Sequence, residues 1–276
     1  PAELDAELAR LAEQQTLASQ LATELAAAAV GARWQAYAAM LAQADGIGAA
    51  LPRLDFAAVA QHAERFAAAG PDDAITARAR SLAAAARHAD SFAEALRSTL
   101  QSAPIAFPGS AEDSEVVSAW DVGKGLLTVV DTSKRSNRER TVAIGSLSPE
   151  TWQGLAEAVS PPAAGARLCF LTFVTLESHR AAADAFLRRL DARQDQSGTR
   201  AEDAYPLGTT MVELLRRRLP AGDDAWLPAM RDELDAAARL VAGLRALSER
   251  RHLAAATHLE KLLADHPHSY LVLRLP

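Results

Sequence analysis

Lys134-Arg135-Ser136-Asn137-Arg138-Glu139-Arg140 is the sharpest local concentration of reactive polar groups in the sequence, with four cations and one acid in seven residues. Clustered guanidinium and ammonium groups can grip phosphates or the carboxylates of an acidic partner. Lys134, Arg135, Arg138 and Arg140 are therefore the candidate partner-binding residues. The competing reading is a turn of solvated charges. Trp120 is the one aromatic close enough in sequence to stack on a base, and its surroundings read as core.

The remaining reactive residue types favour structural readings. Gly123-Lys124-Gly125 leads into a β-forming run, whereas a phosphate-binding loop of the Walker type leads into a helix, so a hairpin turn is expected. His252 and His258 are six apart, which keeps them off one helical face. Together with Asp265, His266 and His268 they are expected on solvent-facing helix and tail positions. Cys169 sits within Leu168 to Val174 and reads as a buried small hydrophobe. Asp223-Asp224 and Asp232-Glu233 are placed at helix starts, and Arg216-Arg217-Arg218 at a helix end, where each complements the helix dipole. Trp34, Trp120, Trp152 and Trp226 are read as packing anchors. No nucleophile elbow or zinc-protease signature occurs. The sequence therefore assigns no catalytic, cofactor-binding or metal-ligating residue. An enzyme would have to assemble a cleft from groups such as Trp152, Arg167 and His179.

These residues must be held by helices. The chain has 276 residues, 49% of them hydrophobic but only 5% aromatic, and Ala and Leu dominate. Alanine loses no side-chain entropy in a helix and lets helices approach closely. The net charge of −6 argues against an extended nucleic-acid surface, which needs concentrated Lys and Arg. A single cysteine excludes an intrachain disulfide. That suits a cytoplasmic chain, although a secreted domain with an ample core needs no disulfide either, so the compartment stays open. No run approaches the roughly 18 apolar residues of a membrane span. A soluble chain is expected, and its start at Pro1 without a signal pattern suggests a processed piece.

Apolar spacing predicts helices over 2–30, 32–45, 55–69 and 71–102. Pro104, Pro108 and Gly109 then form a linker. Three strands follow over 116–122, 126–131 and 140–144, with the basic loop between the second and third. Ser148-Pro149 reads as an N-cap followed by a first-turn proline. Further helices are expected over 164–176, 178–193, 209–219, 226–248 and 252–265, with an extended tail over 270–275. This gives an N-terminal helical region 1–104, a β-module 112–147 and a C-terminal helical region 148–276.

A faint repeat aligns 252–265 with 179–192, and more loosely with a stretch starting at Phe56; each copy reads as the second helix of a hairpin. Gly243, Ala255 and Pro267 stand twelve residues apart, small, small and helix-ending. In this the segment 236–267 resembles a tetratricopeptide repeat (TPR). It departs from that pattern at Arg239, Ala246 and Leu262, where the family prefers large, large and alanine. The alternation of Ala/Leu/Arg-rich helices with a β-module is also similar to extra-catalytic regions of large bacterial serine/threonine kinases, although no kinase motif occurs. These resemblances imply a mainly α fold of TPR-like stacked hairpins with a three-stranded antiparallel β-module. The implied function is a non-catalytic protein–protein interaction or scaffold module that takes a protein or peptide partner and no cofactor. Two alternatives are an enzyme or ligand-binding protein with an unrecognised cleft, and nucleic-acid binding through 134–140.

Overall fold

The computed structural model describes residues 45–69, 73–108, 114–133, 138–191 and 209–273, together with Tyr205 and isolated positions between 15 and 43. The helices expected over 2–30 and 32–45 fall largely outside these residues, as do Trp34, Lys134 and Arg135. The described chain is mostly helical, with one small antiparallel sheet. Helix α1 is Phe56–Ala69, and its first turn is held by Asp55, whose Oδ1 accepts the Ala58 N–H at 3.1 Å. Helix α2 is Asp73–Ser102 and ends just before Pro104.

The sheet has four strands, one more than expected: β1 Ile105–Ala106, β2 Glu115–Asp121, β3 Leu126–Asp131 and β4 Arg138–Ala143. They run antiparallel in the order β1-β2-β3-β4. The extra strand lies in the stretch read as a linker. Its two residues are too few to show a period of two, yet Ile105 and Ala106 pair with Val117 and Val116. A register shift between Val117 and Ala119 turns β2, so that Val117 and Trp120 both face the core although they are three residues apart.

Helix α3 is Pro149–Glu157, capped as the sequence implies: Ser148 Oγ accepts the Thr151 N–H at 3.2 Å. Helix α4 runs unbroken over Ala166–Asp191, where two helices were expected. Nothing at 176–178 stops it: there is no Gly or Pro, and Leu176 and His179 are buried as the helical stripe continues. Helices α5 (Thr210–Arg218), α6 (Leu227–Ser248) and α7 (His252–Asp265) fall close to expectation. The tail is not extended at 270–273 but forms a short turn, α8 (Tyr270–Leu273). Ser269 explains it, since its Oγ accepts the Leu271 N–H at 3.2 Å.

Helix α4 is the spine. It packs on α2, α3, α5 and α6, while α2 also contacts α1, α6 and β2. Buried apolar residues from Ile47 to Leu271 form one connected cluster, drawn from helices on both sides of the sheet in sequence and from the sheet itself. Its aromatic centre is Phe170 of α4. Phe56, Phe92, Trp120 and Trp152 surround that ring at centroid distances of 5.1–6.2 Å. The three repeat-like stretches occupy different settings: α1 packs on the helix that follows it, 179–191 is the second half of α4, and α7 packs on the helix before it.

Candidate functional site

Two of the four cations of the basic run lie on a strand, while residues 134–137 fall outside the described residues. Arg138 and Arg140 belong to strand β4, in register with Asp131 and Val129 of β3. Directly opposed side chains share a face, so Arg140 lies on the side of buried Val129. There its guanidinium grips Glu115 of β2 with two hydrogen bonds, of 3.1 and 2.8 Å, and lies 5.5 Å from the Phe107 ring centroid. Its pKa is raised chiefly by the Glu115 contact. Arg140 is thus an internal fastener of the sheet, and Arg138 remains exposed at the strand's start.

Trp152, Arg167 and His179 are not brought together. Trp152 is buried in the aromatic centre. The Arg167 guanidinium donates to the Val159 carbonyl and lies 5.9 Å from the Phe92 ring centroid. His179 is further along the same helix as Arg167, about 18 Å away at the helical rise per residue. It is 1% exposed, and Tyr205 Oη donates to its carbonyl oxygen at 3.2 Å. Burial lowers the His179 pKa to about 4, against a smaller raising effect of Glu150.

The unfolded chain therefore takes up a proton here from about pH 6.5 downward, while the folded chain does so only near 4. Stability falls as pH drops through that window. Urea unfolding of the parent and of His179→Gln at about pH 7 and about pH 4.5 should show an acid loss smaller in the variant, by on the order of 2 kcal/mol. Equal losses would exclude His179 as the group responsible.

Cys169 is fully buried, and burial pushes its thiol well above the usual range, as the core reading requires. Trp120, Trp152 and Trp226 are buried. Trp226 packs over Gly165, where φ is +82° and an added Cβ would come within 2.5 Å of the indole. Among the described residues no cluster of three His, Cys, Asp or Glu side chains could hold a metal ion.

A polar constellation not apparent in the sequence lies between α2, α6 and the turn after α7. Asp232 and Glu233 lie beyond the first turn of α6, so they do not serve its dipole as expected. Arg78 of α2 reaches Asp232 at 3.0 Å and Glu233 at 2.5 Å. Glu233 also accepts Ser269 Oγ–H at 2.7 Å and the Tyr270 N–H at 2.9 Å. His266 was expected in solvent but is only 8% exposed. Its Nδ1 lies 2.6 Å from Asp232 Oδ1, and its Nε2 is buried without a partner.

These groups border a groove of about 580 Å³ with small apolar walls, including Ala74, Ala77, Pro228 and Pro267. Arg80 and His268 stand exposed in its lining. An aspartate-held imidazole is the arrangement of a general base. Here, however, Nε2 presents almost no surface, so a substrate atom has no route to it in this conformation. One signal was available in the sequence. Glu233 falls on the stripe Trp226, Met230, Glu233, Ala237, Leu240, Leu244, so an acid occupies a core-facing position. Its partner Arg78, 155 residues away, carries no such mark.

No described helix is long and apolar enough to cross a membrane. Comparison with protein-family models, with curated proteins and with solved structures finds no match to this chain.

Proposed function

We propose that the chain is a non-catalytic protein–protein interaction module, a scaffold of TPR-like helical hairpins that takes a segment of a protein partner in the α2–α6 groove. The observation that carries this reading is the groove itself. It is roomy and walled by small residues, and most of its charged groups are committed to one another: Arg78 to Asp232 and Glu233, Asp232 to His266, and Asp265 to Arg239 at 2.8 Å. Such a surface is rigid and shaped, as recognition of a peptide requires. The hairpin of α6 and α7 supports the TPR-like reading. An added Cβ at Gly243 would come within 2.9 Å of Leu259, Ala255 is buried, and Pro267 follows the end of α7. The engagement of Arg140 with Glu115 favours a protein partner over nucleic acid, because it withdraws one of the four cations offered by 134–140.

Ala77 is exposed on α2 and lines the groove, so Ala77→Trp fills it without touching the core. Parent and variant would serve as baits in lysate of the source organism, with Ala77→Ser as control and circular dichroism to check folding. Partners held by the parent and the serine form should be lost, by about tenfold or more, with the tryptophan form. Capture indifferent to Ala77→Trp would remove the groove as the docking site. No partner at physiological salt would remove the module reading.

A further inference from the structure

Helix α5 ends in Arg216-Arg217-Arg218, and at about 100° per residue these three cannot share a face. Arg216 and Arg217 line a second groove with Glu213, Leu219 and, from α6, Arg231 and Asp235. Its volume is about 510 Å³. Arg216 is held and neutralised by Asp235 at 2.5 Å. Arg231 is held but not neutralised, since it donates to the Pro220 carbonyl at 2.9 Å. Among the described residues, the side chains of Arg217 and Glu213 make no ion pair or hydrogen bond. Three guanidiniums against two carboxylates leave the groove at +1, on a chain whose net charge is −6.

We propose that this arginine groove takes an acidic segment of a protein partner, with a carboxylate between Arg217 and Arg231 and a neighbouring apolar side chain on Leu219. Guanidinium forks match carboxylates in two parallel hydrogen bonds, and Arg231 is oriented in advance by Pro220. Glu213 sets the choice of anion. A single carboxylate matches a net +1, whereas a phosphate monoester near −2 meets like charge there. The acidity of the rest of the chain repels such a partner, so this patch also fixes its orientation. The arginine groove deepens the interaction reading, on which it rests, yet it shares no residue with the α2–α6 groove.

The test uses fluorescence anisotropy of a labelled peptide alternating glutamate and leucine, at about 50 mM salt where screening is weak. A glutamine-for-glutamate peptide and a phosphoserine-for-glutamate peptide serve as comparisons. Saturable binding of the glutamate peptide is expected. It should weaken about tenfold in Arg217→Ala and in Arg231→Ala, and tighten a few-fold in Glu213→Gln. These are exposed positions, so the variants keep the fold, as circular dichroism would verify. Ala77→Trp should leave this binding unchanged. Absence of saturable binding would overturn the proposal, as would indifference to both arginine substitutions or tighter binding of the phosphoserine peptide. Partner capture still sensitive to Ala77→Trp would then show that the module reading survives without the arginine groove.

Discussion

Replacing Arg78 with alanine should lower the free energy of unfolding by about 3–5 kcal/mol, because it strands a buried acid. Glu233 is 1% exposed, and Arg78 is the only cation that reaches it among the described residues. Its remaining partners, Ser269 and the Tyr270 N–H, are neutral donors. Burial raises the Glu233 pKa, and the charge of Arg78 is the chief opposing influence. Removing that charge drives the carboxyl further up. For an acid whose folded pKa exceeds its unfolded one, stability present at low pH is lost as pH rises between the two values. The deficit of Arg78→Ala should therefore be smaller near pH 5 than near pH 8. Adding Glu233→Gln to Arg78→Ala should recover part of the loss, since no buried charge is then left. Urea unfolding across the double-mutant cycle measures both effects. A variant within about 1 kcal/mol of the parent at pH 8 would mean that the pair is replaceable by water.

Phe170→Ala should be comparably damaging, again about 3–5 kcal/mol. The ring is fully buried where α1, α2, α3, α4 and β2 meet, and four aromatic neighbours lose their contact at once. Those neighbours belong to different elements, so the cavity cannot close without moving the sheet against the helices. The near-ultraviolet circular dichroism of Trp120 and Trp152 should weaken in the same variant, reporting on their loosened packing. Phe170→Leu keeps most of the volume and should cost less. A Phe170→Ala protein as stable as the parent would show that this centre is loosely packed.

The two results probe features of very different visibility in the sequence. Phe170 could be read as core from its apolar run, and the helix beginning at Ser148-Pro149 from its cap, because both signals are local. Strand β3 was legible for the same reason, six residues with a turn before and a polar stretch after. What escaped depends on distant residues or on very short elements. Strand β1 has only two residues. His266 is drawn in by Asp232, 34 residues away, and the groove they border draws on residues 74–81, 225–232 and 265–268. The charges of 134–140 were plain, but not that Arg140 is engaged, since Glu115 lies 25 residues away.

That engagement has a consequence for how copies of the chain treat one another. Among the described residues strand β4 is the outer strand of the sheet, six residues long and almost wholly exposed, and such an edge invites a second chain to add on. Arg140 does not serve at that edge, because its guanidinium reaches back across β3 to Glu115 of β2. Arg138, two residues earlier, is exposed and sets a charge there that a flat, dry strand-to-strand contact would have to bury. At this edge Arg138, rather than Arg140, is the charge that disfavours the addition of a second copy's strand to β4.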